Sequence, residues 1–374
     1  MTSQEANREF RMTVFDDIYS LNKAQKLELI KRIWKDLPAS EADFNESDYA
    51  AYFKYIQGEL SLLQEHQSSF AAQTLDSTLA IIDEVRQNPA VTREDIARII
   101  AQKHSESESD AVLRSVELAV RAWLTLNIRS DQLTLGPVYA GTSRVDWPHY
   151  TTLKQSVGFR FPQSKAPDPP DKIPMNPEFT ASFLTKGCGV RILWTDNLAD
   201  HLILNRHNMV LTLYQHKICI FNHLQSSDAK FFPEGLLEET IDTFNLLLPF
   251  GDRQTQRLLS NHQSLWGLGG CGRYRQLDLA QYQYWRWRLE DLYALFNEPP
   301  RNLRHLWVNR RNVVNWITVW VAVAAAVLAV FGCIFGSVSM AYSILQYRFM
   351  VEQACIDPDT AAKMPKYCGQ RNTG

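Results

Sequence analysis

The chain has 374 residues, 39 Lys and Arg against 41 Asp and Glu, and a formal net charge of -2. That length suggests two or three domains with a sizeable core. The near-neutral balance argues against a dominant nucleic-acid partner, which would show as a basic face, and against an acidic disordered tail.

The polar start, MTSQEANREFRMTVFDD, lacks an apolar core after basic residues and does not read as a secretory signal. Residues 1–130 read as a helical domain. Leu27, Ile30, Ile33, Trp34 and Leu37 recur at helical spacing before Pro38. Tyr52, Phe53, Ile56, Leu60 and Leu63 form a second stripe, and Phe70, Leu75, Leu79, Ile82 and Val85 a third. Thr92 with Asp95 predicts a capping box. Ser109 is placed to cap the strongest stripe, Val112, Val116, Ala119, Val120, Trp123 and Leu126. Stripes of this kind bury one another, which predicts a bundle.

Residues 131–177 are rich in Pro, Gly and Ser and read as an extended surface connection. A small α+β domain is expected over 178–300. Pro177-Glu178 opens a helix, Val190–Trp194 reads as a buried strand, and Asp196–Leu202 as a helical turn. Met209–Leu213 and Lys217–Phe221 are β-rich runs. Pro233 starts a helix that stops at Pro249, and an aromatic helix follows from about Asp278 to Phe296.

A juxtamembrane helix is expected over 301–315. Trp316–Leu345 then carries no charge, and a run this long and apolar reads as a transmembrane helix. Trp307, Trp316 and Trp320 stand like an interfacial belt. Arg301, Arg304, Arg310 and Arg311 precede the span, whereas Arg348 alone closely follows it, with Lys363 and Lys366 further on. The basic flank marks the cytosolic side. The large part is therefore expected in the cytosol and the tail, 346–374, in a lumenal or extracellular space. Cys188, Cys219 and Cys271 fall on the reducing side. Cys355 and Cys368 fall on the oxidising side, where a disulfide is one reading and two unpaired thiols the other.

The blocks SVELAVRAWLTLNI, FTASFL, VRILWTDNLADHL and FFPEGLLEETIDTFNLLLPF resemble the recurring blocks of a family of uncharacterised single-pass membrane proteins from filamentous fungi. WTDNLADHL is the most distinctive. The resemblance covers roughly residues 50–345. It implies a fungal source and this architecture, and no activity.

Asp196, Asp200 and His201 are the most enzyme-like cluster. On a helix Asp196 and Asp200 share a face, and a carboxylate beside a histidine suits a base or a metal. Against this, Asp196 as a cap and His201 as a packed core residue explain the same letters. No third ligand stands at a familiar spacing, so neither metal nor cofactor is expected. WGLGGCGRYRQ is glycine-rich with Arg273 and Arg275, but lacks the Gly-Lys-Ser/Thr ending of a phosphate loop. A winged-helix reading fails because the helix over 111–128 puts Trp and Leu on its main face, so no nucleic acid is expected. Gly332 and Gly336 form GxxxG in the span, with Ala325, Ala329 and Cys333 also at small-residue spacing, suited to a homodimer.

The expectation is a mainly α protein: a helical N-terminal lobe, a small α/β lobe and one C-terminal transmembrane helix. Its partners are the bilayer and other proteins. A tethered enzyme using the Asp196 region is the alternative.

Overall fold

The computed structural model describes residues 18–35, 37–38, 41–103, 108–130, 142–164, 172–260, 262, 265, 267–298 and 313–368. The juxtamembrane arginines 301–311 lie outside them. The chain divides into two compact units, Met1–Arg301 and Asn302–Gly374.

Among the described residues, the first unit carries in its N-terminal half the helices α1 (Lys23–Ile33), α2 (Ala50–Glu65), α3 (Leu75–Gln87), α4 (Arg93–Lys103) and α5 (Ser109–Leu124). Their starts are set by local chemistry. Asn22 with Gln25, and Thr74 with Ser77, close reciprocal capping boxes at α1 and α3. Thr92 accepts from the Asp95 N–H and donates to its carboxylate, as its spacing predicts. Ser109 is the first helical residue of α5 rather than its cap; Glu108 holds the cap position without a side-chain bond.

Helix α5 is the axis of the unit. It is buried on almost every side, from Ala111 to Leu124. Burial so complete takes charged groups inside, and each has a partner. Arg93 meets Glu117 at 2.5 Å, and Arg121 meets Glu59 at 2.8 Å. Thr125, at φ 52°, ends the helix in the left-handed conformation, its N–H donating to the Arg121 carbonyl.

The second half adds α6 (Leu153–Arg160), α7 (Ala181–Gly187), β1 (Arg191–Thr195), β2 (Leu204–Asn205), β3 (Val210–Tyr214), α8 (Lys217–Gln225), α9 (Leu236–Leu247), α10 (Arg253–Leu258) and α11 (Arg286–Asn297). The sheet order is β1-β3-β2. β1 and β3 run parallel, with Arg191 opposite Val210 and Thr195 opposite Tyr214; β2 is antiparallel to β3.

Both halves share one core. Trp34, the C-cap of α1, donates to His223 of α8 at 3.2 Å, and the other His223 ring nitrogen bonds the Trp123 carbonyl of α5 at 3.2 Å. Arg86 of α3 and the Trp123 indole both donate to Asp228, at 2.9 and 3.1 Å. The helical and mixed parts therefore form one body rather than lobes divided at 131–177. Nor is the described part of that connection purely superficial. Val145, Trp147, Leu153, Val157 and Phe161 are buried, and α6 lies within it. Prolines fix its backbone, but its large apolar side chains win the burial.

Two further expectations are corrected. Lys217–Phe221 is helical, not a strand. Ile218, Cys219, Ile220, Asn222 and His223 are buried while Phe221 and Leu224 lie on the less covered face, so polar and apolar residues mix on both faces and no 3.6-residue apolar stripe shows. The aromatic helix begins at Arg286, not near Asp278; a 3-10 turn, Leu279–Gln281, precedes it. Its start is set from a distance: the Glu239 carboxylate of α9 accepts from the N–H groups of Gln283, Tyr284 and Trp285, at 2.7, 3.1 and 2.7 Å.

The second unit is dominated by α12, Val313–Ile356. Its stretch from Trp320 to Ile356 is long and apolar enough to cross a membrane, and none of its most apolar window is buried. The helix outruns the expected end at Leu345, since no helix breaker intervenes before Pro358. The tail, where described, is also helical: α13 (Pro358–Lys363) and α14 (Pro365–Cys368) follow, and Cys368 is disulfide-bonded to Cys355, with their Cα atoms 5.5 Å apart.

Candidate functional site

The WTDNLADHL block leaves β1 and turns immediately. Asn197, not Asp196, caps the 3-10 turn Leu198–Asp200, accepting from the Ala199 N–H. Asp196 and Asp200 thus lie on either side of a cap and do not share one helix face.

Asn197 is a hub. Its Oδ1 also accepts from the Asn127 N–H at 3.1 Å, and its Nδ2 donates to the Ser143 carbonyl at 2.6 Å and to Asp200 Oδ2 at 2.9 Å. Asp200 Oδ1 accepts from the Ser143 N–H at 2.7 Å. Three remote segments, around 127, 143 and 200, are tied by these two side chains.

His201 is buried with both nitrogens bonded. Nδ1 accepts from the Tyr214 N–H at 3.2 Å, which puts the proton on Nε2, 2.7 Å from the Thr243 hydroxyl. Trp285 and Phe244 pack on the ring. Burial, helped by the nearby Arg288 cation, holds its pKa well below the usual histidine value. A neutral, enclosed imidazole with both positions filled has no free valence for a substrate or a metal.

Asp196 goes elsewhere. The parallel register sets it just past the end of β1, beside the residues that follow β3. Gln215 Nε2 and His216 Nε2 both lie on its Oδ1, at 2.6 and 2.7 Å. The carboxylate is 45% exposed and the His216 side chain 0% exposed. Burial works to raise the Asp196 carboxyl, but the bonds from His216 and Gln215 and the Lys54 charge carry it below the usual range. Tyr52, Tyr55 and Tyr214 surround the His216 ring. The arrangement is an exposed carboxylate oriented by a buried imidazole. Sequence reasoning paired Asp196 with the wrong residues, because His216 comes alongside only through strand pairing.

The glycine-rich loop is not a phosphate cradle. It turns carbonyls inward: Gly269 accepts from buried Lys217 at 2.5 Å, and Gly270 from Asn245 at 3.1 Å. Arg273 forms a two-point ion pair with Asp242, and Arg275 donates to the Leu246 and Phe179 carbonyls. Trp266 lies outside the described residues. Among the described residues no group of three or more His, Cys, Asp or Glu is placed to hold a metal ion. An apolar void between α1, α2, α3 and α5, lined by Ile33, Ile56, Leu75, Leu79 and Ile82, is no larger than a water molecule. Gly332 and Gly336 lie on α12 with open space where a Cβ would stand.

The fold and these sites define a mainly helical protein with a small three-stranded sheet and one apolar C-terminal helix able to span a bilayer. Comparison with protein-family models, with curated proteins and with solved structures finds no match for this chain.

Proposed function

We propose that the chain is a single-pass membrane-anchored interaction or scaffold protein whose large N-terminal unit stands in the cytosol. The observation that carries the anchor is α12: apolar side chains along its length, including Val321, Leu328, Phe331 and Phe335, are exposed, and only lipid or a partner relieves that exposure. The arginine excess before the span supports the orientation. The cysteines support it too: Cys188, Cys219 and Cys271 are thiols, whereas Cys355 and Cys368 are bonded. The interaction role rests on the enclosed state of the polar clusters in the first unit. Pairing of two copies through Gly332 and Gly336 belongs to the same reading, as do the fungal resemblance and its implied architecture.

The alternative, a tethered enzyme, has one specific support. Asp196 with His216 is an acid–base pair that reaches solvent. Proximity labelling from the N-terminus of the full chain in its native host separates the two. A reproducible set of protein neighbours, unchanged by Asp196→Asn, supports the scaffold. Absence of such a set, with a small-molecule conversion lost on Asp196→Asn at normal protein level, supports the enzyme.

A further inference from the structure

The span is long, and its length carries information about the bilayer it suits. Trp316, Trp320, Tyr342 and Tyr347 all lie on α12, and Trp320 and Tyr342 are the inner pair. Tryptophan and tyrosine gather at the two membrane–water boundaries. From Trp320 to Tyr342 the helix rises about 33 Å at 1.5 Å per residue. The hydrocarbon layer of a sterol-rich plasma membrane is about 32–33 Å thick, and that of the endoplasmic reticulum about 27 Å. In the thicker layer the inner pair reaches both boundaries with the helix nearly upright, and the rest of the uncharged run over 316–345 extends into the headgroups at either end. In the thinner one the helix must lean by about 35°, well beyond the average tilt of about 20°.

Two further features fit a lipid environment of this depth. The Ser337 and Ser343 hydroxyls, within or beside the far half of the span, donate back to the Cys333 and Ser339 carbonyls at 2.8 and 3.0 Å. They need neither water nor a neighbouring helix. Beyond Tyr347 the helix continues to Cys355, about 12 Å further along the axis, so the disulfide stands clear of the hydrocarbon.

Resting on the reading of α12 as a membrane span, we infer that its partner is a thick, sterol-rich bilayer of the plasma-membrane type rather than the thin bilayer of the endoplasmic reticulum. Hydrophobic length, not a recognition motif, selects it.

The test uses the full chain with an N-terminal fluorescent tag in a eukaryotic cell. One variant deletes residues 322–333 and shortens the span by about 18 Å, which leaves about 27 Å of the uncharged run. A second replaces the same residues with a leucine–alanine segment of equal length. Carbonate resistance is measured for all three, alongside their distribution. The inference expects the native chain and the replacement at the cell surface, and the deletion held in the endoplasmic reticulum, all three carbonate-resistant. Native chain and deletion integrating and distributing alike overturns the thickness inference and leaves the anchor standing. Retention of the replacement together with the deletion also overturns it, since sequence and not length then governs. Carbonate extraction of the native chain defeats the anchor itself.

Discussion

His223 makes the first unit sensitive to acid, and by an amount that follows from its surroundings. Its ring is buried between Trp34, Trp123 and Phe232. Burial, assisted by the Arg86 charge and opposed by Asp228 and the Trp123 carbonyl, lowers its pKa from 6.5 to about 4. The imidazole is therefore neutral in the folded state down to about pH 4. In the unfolded chain it takes up a proton below pH 6.5. The unfolded state binds the extra proton between those values, so stability falls as pH drops from 6.5 and the loss is complete near 4. A shift of this size corresponds to about 3 kcal/mol. His201, also held neutral by burial, contributes with the same sign. The assay is urea unfolding of the detergent-solubilised full chain between pH 7 and 4, followed by tryptophan fluorescence. His223→Gln keeps an acceptor for Trp34 and a donor for the Trp123 carbonyl while removing the titration. It should be less stable than the native chain at pH 7 and lose about 3 kcal/mol less on acidification. Parallel pH profiles for the two proteins, or a His223 that titrates near 6.5 in the folded chain, would refute the reasoning.

Asp228 pairs with Arg86 inside the core, and Asp83 pairs with the same guanidinium at 2.7 Å, so Asp228→Asn keeps one ion pair and should cost about 1.5–3 kcal/mol; adding Asp83→Asn should deepen that loss in the same unfolding assay. Asn197→Ala removes a cap and the link between three segments, and should cost about 2–4 kcal/mol in urea unfolding, whereas Asp196→Asn, at a half-exposed site, should shift the midpoint little. Replacing Cys355 and Cys368 by serine opens a loop with a sequence separation of 13. About 3 kcal/mol of local constraint is lost, seen as faster hydrogen exchange over 357–368 with no change in the first unit.

Much of the architecture could be read from the letters. Stripes at 3.6 spacing locate α3 and α5, because each has both a covered and a less covered direction or a strong run of apolar positions. Thr92 and Asp95 announce α4 through purely local bonds. VRILW lies in a strand, β1 with its flanking Val190, though β1 itself is half-exposed rather than buried as expected, and the uncharged run over 316–345 falls within α12. What stayed hidden depends on distance along the chain. Helix α8 buries Asn222 and His223 while Phe221 and Leu224 are only half-buried, so its apolar residues keep no helical period. The start of α11 is held by Glu239, more than forty residues earlier. Trp147 is buried in a stretch whose prolines advertise a loop. The candidate site fared likewise: Asp196, Asp200 and His201 stand together in sequence, yet the turn capped by Asn197 separates the exposed carboxylate from the enclosed pair. Gln215 and His216 join Asp196 only because β1 and β3 run parallel. No local signal encodes that register.

An internal reporter of orientation is already present. Asn45-Glu46-Ser47 is an N-glycosylation acceptor, and Asn45 is exposed at the start of a 3-10 turn. The most direct test of the account is the fate of the full chain in sealed microsomes from its host, after alkaline carbonate and after external protease. The account predicts a carbonate-resistant chain, unglycosylated at Asn45, whose large unit is digested while a disulfide-containing fragment beginning near the span survives. A chain released by carbonate, or one glycosylated at Asn45 with its large unit protected, would contradict it.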